Sequence, residues 1–259
     1  AWRIREEEIP RIALLTAAFF VASSLYIKLP GTSVHLLLNG LVGVVLGWRA
    51  ALAIPVGLFL QAALLSHGGF TTLGVNSCIQ VVPALLAWQL FAGLRRMPWT
   101  RRPWFRAALV AGSVAVWVLS LVYSAVLLWH NPLNGTSLDT ELAGQVILNP
   151  ITLAGAGLLA VLAAWGERRL ENAPEFPLGL LVGELAVLLT AILACLVLIW
   201  GGERDWRVWA VVLLVGHLPV AVVEGVVLGF TVGFLVRVRP EVLGWRPMEE
   251  AVCSADPVP

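Results

Sequence analysis

Residues 50–94 read AALAIPVGLFLQAALLSHGGFTTLGVNSCIQVVPALLAWQLFAGL, 45 positions without a Lys, Arg, Asp or Glu. A bilayer core about 30 Å thick takes roughly 17–25 helical residues to cross, so this stretch is long enough for two crossings, with the polar run SHGGFTT between them. Elsewhere the chain has the same character. Of its 259 residues 59% are hydrophobic and 13% charged, with a mean hydropathy of +0.88, where a soluble domain carries about 25% charged residues. The chain is an integral membrane protein by composition. Its apolar runs are continuous and lack the period-two alternation of barrel strands, which predicts helices.

Eight crossings are expected, at about 12–27, 33–48, 50–66, 78–94, 107–129, 143–166, 178–200 and 208–236. They define one polytopic all-α helical bundle over residues 1–240, followed by a polar, Pro-containing cytoplasmic tail at 241–259. With the amino-terminal loop inside, only Lys28, Arg204 and Arg207 of the 17 Lys and Arg fall outside. That asymmetry is what the positive-inside rule demands of Arg-rich cytoplasmic loops in a cell (inner) membrane protein. Trp48, Trp88, Trp104, Trp129, Trp200 and Trp209 fall near proposed helix ends as interfacial anchors, whereas Trp117 falls within a span.

A net charge of +1 points to no nucleic-acid partner. Cys78, Cys195 and Cys253 form no zinc or disulfide pattern. No G-x-x-x-x-G-K-[ST] sequence occurs, so ATP-driven work must come from a partner. The chain starts at Ala1, and WRIREEEIPR at 2–11 resembles an internal loop rather than a signal peptide, so a preceding segment is expected.

All four histidines fall toward the outer side: His35, His67, His130 and His217. Neutral imidazole is the commonest protein ligand for transition metals. Residues 61–76, QAALLSHGGFTTLGVN, place His67 at a helix end beside Gly68, Gly69, Thr72 and Asn76. A non-helical loop at membrane depth is tolerated where it lines a polar cavity. His67 is therefore a candidate ligand, with helix-end capping as the plainer reading. His35 follows P-G-T-S-V, where Thr32 or Ser33 could cap a helix; it either donates to a loop carbonyl or serves as a ligand or a ligand's partner. His217 and Glu224 are two helical turns apart, too far to chelate one ion. An intramembrane Glu224 is read as a hydrogen-bond organiser or a contact to the transported species. Glu184, nearer the inner surface, is expected to snorkel or pair with a loop Arg. Ala18 and Ala22, four apart, would let another helix approach.

At these residues the chain resembles the CbiM/NikM family, substrate-capture subunits of energy-coupling factor transporters for cobalt and nickel. LPGTSVHLLLNGLVGVVLG within residues 19–47 is similar to the family's P-G-G-T-S-G-H-L-x-G-G segment. Residues 61–76 resemble Q-A-L-L-x-x-[DH]-G-G-x-T-x-L-G-x-N, and HLPVAVVEGVVLGFTVGFLVRVRPEVL at 217–243 resembles H-x-x-I-x-x-x-E-G with its tail.

The resemblance implies capture of Co(II) or Ni(II) at the outer face, with His67 at the metal-site position and no cofactor of the chain's own. It further implies a coupling transmembrane subunit, two ATP-binding subunits and a small auxiliary membrane subunit as partners, with the face of Ala18 and Ala22 as a candidate contact. Family members begin Met-His-Ile, and that free terminus supplies most of the coordination; this sequence has no such start. The hairpin at 107–166 does not align and is read as an insertion whose outer loop either covers the site or, the favoured reading, only links two helices. Physiological uses would be cobalamin biosynthesis or nickel-enzyme maturation.

Competing readings are an intramembrane hydrolase using Ser33 or Ser66 with a histidine, and a metal-independent permease or scaffold. The hydrolase reading fares poorly, because adjacent Ser and His cannot readily form a nucleophile-base pair and no oxyanion-hole motif is visible.

Overall fold

The computed structural model describes residues 4–24, 26–29, 32–130, 175–201 and 207–244. The expected crossing at 143–166, the loop of the 107–166 hairpin and the tail beyond 244 lie outside the described residues, as do the side chains of Trp117, Trp129, His130 and Trp209.

After a short turn at Glu6–Glu8 come α1 (Ile9–Ser24), β1 (Tyr26–Leu29), β2 (Thr32–His35), α2 (Asn39–Leu46), α3 (Ala50–Leu65), α4 (Leu73–Arg95), α5 (Pro103–His130), α6 (Glu175–Gly201) and α7 (Arg207–Val238). Four stretches are long and apolar enough to cross a membrane: Asn39–Leu65, Leu73–Arg95, Glu175–Gly201 and Gly216–Val238. The helical membrane bundle is thus present, while a count of eight crossings is not established by it.

Two boundaries differ from expectation. Residues 26–35 form an antiparallel hairpin with Leu29 opposite Thr32 and Lys28 opposite Ser33. Hence neither Thr32 nor Ser33 caps a helix, and the segment expected to cross from residue 33 becomes helical only at Asn39. Tyr26, Ile27, Thr32 and Val34 are strand-prone residues flanking a Pro-Gly pair, and this local preference outweighs general apolarity.

The second difference concerns Asn39–Leu65. A straight helix of this length would separate its ends by about 40 Å, yet the rings of His35 and His67, just beyond the two ends, lie 6.0 Å apart. The chain doubles back at Gly47, whose φ of +60° suits glycine. Helix α2 descends from the histidine end and α3 returns to it.

Glycine also sets the helix spacing. A Cβ on Gly43 would stand 2.0 Å from the Ala84 carbonyl oxygen, so α2 and α4 touch backbone to backbone. Gly179 and Gly183 of α6 face Gly229 and Gly225 of α7, where added Cβ atoms would meet Cα atoms at 2.8 and 2.7 Å. These glycine pairs, four residues apart on antiparallel helices, permit the close approach by which membrane helices gain packing energy. Between α1 and α3, buried Phe19 lies over Gly57, and Gln61 donates to the Ser23 hydroxyl.

The resulting bundle has two chemically distinct ends. One carries the hairpin, the α3–α4 loop and the α6–α7 ends. The other carries Arg49, Arg95, Arg96, Arg237 and Arg239, with Arg49 ion-paired to Glu8. Residues 240–243 form a turn in which Leu243 packs against the core cluster that contains Phe91 and Val232, and its carbonyl accepts from Arg95 Nη1 at 3.3 Å.

Candidate functional site

Three elements deliver the site. Helix α3 ends in a left-handed turn at Ser66, φ +51°, and the following N–H, that of His67, reaches back to the Gln61 carbonyl at 3.3 Å. This C-terminal turn, ordinarily the place of glycine, sets His67 at the bundle end. Gly68 and Gly69 continue with φ of +78° and +66°. Thr72 then closes the loop, its hydroxyl donating to the Gly68 carbonyl, and Asn76 Nδ2 donates to Thr72 Oγ1 at 3.3 Å.

His35 arrives from the hairpin and His217 from α7. The His35 ring lies 6.0 Å from that of His67 and 6.4 Å from that of His217, edge to face in both cases. His35 Nδ1 donates to the Leu36 carbonyl at 3.3 Å, and His217 Nδ1 donates to the Leu213 carbonyl at 2.8 Å. A carbonyl can only accept, so the proton sits on Nδ1 in both rings and Nε2 carries the lone pair a metal would use. Burial, and next the His217 and His67 imidazoles, lower the pKa of His35 to about 4, which keeps this ring neutral at physiological pH.

All three imidazoles line one cavity of about 710 Å³, together with Gly68, Gly69, Thr72 and Asn76. The expected set therefore converges, with one exception. Glu224 is buried behind the cavity, and its two carboxylate oxygens accept the backbone N–H groups of Leu37 and Leu38, the latter at 2.9 Å. Leu38 has φ +46° and no side-chain cap of its own precedes α2, so a carboxylate from α7 serves the amides at the helix entrance.

Three residues unmarked in the sequence join the site. Buried Gln61, Gln80 and Thr190 line the cavity, and Thr190 Oγ1 accepts from Asn39 Nδ2 at 2.7 Å. The readable signal was an Asn, two Gln and a Thr within apolar helices, each of which must find a partner in lipid.

Glu184 does not snorkel. It is buried against α7, where its Cγ lies 2.9 Å from a Cβ built on Gly225; Ser113 of α5 faces it, and among the described residues its Oε1 meets no hydrogen-bond donor. Ala18 and Ala22 are half-buried beside the exposed Leu14 and Val21. Among the described residues, no three His, Cys, Asp or Glu side chains stand close enough to hold an ion together.

The described residues form a helical membrane bundle with three imidazoles lining a cavity at one end. Residues 1–164 and 146–242 match the family model of CbiM, the cobalt uptake substrate-specific transmembrane region, and the chain belongs to this family. A protein of Methanocorpusculum labreanum, provisionally named cobalt transport protein CbiM 1, is 33% identical over 185 residues, 68% of this chain and 78% of its own. A Haemophilus influenzae protein provisionally named a metal transport protein is 45% identical over 89 residues, which are 34% of this chain and 43% of that protein. A fused nickel transport protein NikMN of Archaeoglobus fulgidus, also provisionally named, is 27% identical over 129 residues, 48% of this chain and 42% of its own. No solved structure matches.

Proposed function

We propose that the chain is the substrate-capture subunit of an ATP-driven energy-coupling factor importer and takes Co(II) or Ni(II) at the histidine end of the bundle. The observation that carries this reading is the convergence of His35, His67 and His217, from three separate elements, on one cavity. Imidazole nitrogen suits late first-row divalent ions. His67 is the ligand, His35 a second ligand or its partner, and His217 sets the neighbouring surface. Gly68, Gly69, Thr72 and Asn76 shape the loop that presents His67.

The histidine end faces outward in this reading and the arginine end faces the cytoplasm, as the positive-inside rule requires. A coupling transmembrane subunit and two ATP-binding subunits, with a small auxiliary membrane subunit, turn capture into import. The half-buried Ala18 and Ala22 of α1 offer a close approach to the coupling subunit.

Uptake of cobalt and of nickel by cells expressing the full gene with its coupling partners tests the proposal. His67→Ala abolishes uptake of the cargo metal, and so does removal of the ATP-binding subunits. Uptake unchanged in both cases describes a metal-independent permease or scaffold and refutes it.

A further inference from the structure

The connection from α4 to α5 reads RRMPWTRRPWFR over residues 95–106, five arginines and no acid. The chain contains no Asp or Glu between Glu8 and Asp139, so none of the five can meet a carboxylate from α1 to α5. The turn after α7 brings Glu241, which is exposed, to this end of the bundle.

This connection is firmly folded. Thr100 is buried, and its hydroxyl reaches the carbonyls of Leu94 at 3.2 Å and Met97 at 2.7 Å. Phe105 packs with Leu94, Val236 and Leu243, and meets the rings of Trp99 and Trp104 edge to face at 4.6 and 5.8 Å. On this shelf Arg96 and Arg102 are exposed. Apolar surface accompanies the charge: Met97 is 41%, Trp99 39% and Trp104 60% exposed.

A soluble polyanion would neutralise the arginines and leave this apolar surface in water. A phospholipid surface serves both, since phosphate pairs with guanidinium while indole rings sit at headgroup level. We propose that the shelf is a binding site for an anionic phospholipid, with the phosphodiester held by Arg96 and Arg102 and flanked by Trp104. It is independent of the metal site and of the transport reading.

The test uses the full chain in phosphatidylcholine nanodiscs doped with an equal small fraction of either brominated phosphatidylglycerol or brominated phosphatidylcholine, with tryptophan quenching as the readout. Phosphatidylglycerol quenches more strongly, and W104F removes much of that excess. Each arginine near a membrane surface is worth about a fivefold preference, so R96Q/R102Q eliminates most of the excess while R96K/R102K retains it. Both side chains are exposed, and an unchanged circular dichroism spectrum verifies the fold. Equal quenching by the two lipids, or an excess that survives R96Q/R102Q, overturns the proposal. So does an absent excess accompanied by binding of a poly-glutamate peptide through Arg96 and Arg102, which would make the shelf a protein-docking face.

Discussion

Two polar regions lie near the entrance of α2, and they are treated differently. Glu224, Asn39 and Thr190 spend their polar atoms on the protein itself: the carboxylate on two amides, the Asn side chain on Thr190 Oγ1 and the Gly40 N–H. His35 and His217 each place Nδ1 on a main-chain carbonyl and line a cavity. In an apolar medium an unused polar atom costs free energy. The closed network holds the entrance of α2 together, and the proposed capture of a metal ion concerns the histidine group. Disturbing the first should alter stability before transport, and disturbing the second should do the reverse.

The largest stability effect is expected for Glu224→Ala, which strands two buried N–H groups at a penalty of about 1–3 kcal/mol each. Thermal unfolding in nanodiscs should show a fall of several degrees or more, and Glu224→Gln, which keeps one acceptor, roughly half of it. A variant Glu224→Ala of wild-type stability but without transport would reverse the assignment of this residue. Next in size is Gly183→Val, because its Cβ would stand 2.7 Å from Gly225 Cα. Overpacking of this kind costs about 1–3 kcal/mol, and the same measurement applies. Asn39→Ala follows, with about 1 kcal/mol lost for its hydrogen bond to Thr190.

The smallest stability effect is expected at the histidines. His35→Ala removes one hydrogen bond of 3.3 Å and should change stability by about 1 kcal/mol or less. Uptake should nevertheless fall at least about tenfold, the usual loss when a ligand or its partner is removed from a metal site. Unfolding and radiometal uptake measured on the same variant separate the two effects.

The sequence displayed the site more completely than the fold around it. Residues 61–76 carry a helix end, two glycines and a histidine in contiguous order, so local rules suffice to make them a presenting loop. His35 and His217 were readable as candidates, but their meeting with His67 depends on α2 and α3 folding back at Gly47, a tertiary event. The role of Glu224 was hidden for the same reason, because its partners are 186 and 187 residues away. Helix packing was legible and overlooked. Gly179, Gly183, Gly225 and Gly229 carry the four-residue spacing more forcefully than Ala18 and Ala22, since glycine alone lets backbones touch. The hairpin at 26–35 was masked by an apolar composition that suits either a strand or a crossing, and only the Pro-Gly pair at its centre marks it.

X-ray absorption spectroscopy of the cobalt- or nickel-loaded protein tests the central claim most directly. The account predicts a first shell containing nitrogen with the multiple scattering typical of imidazole, weakened in His67→Ala and preserved in Asn39→Ala. An all-oxygen shell, or an imidazole signal unchanged in His67→Ala, would contradict it.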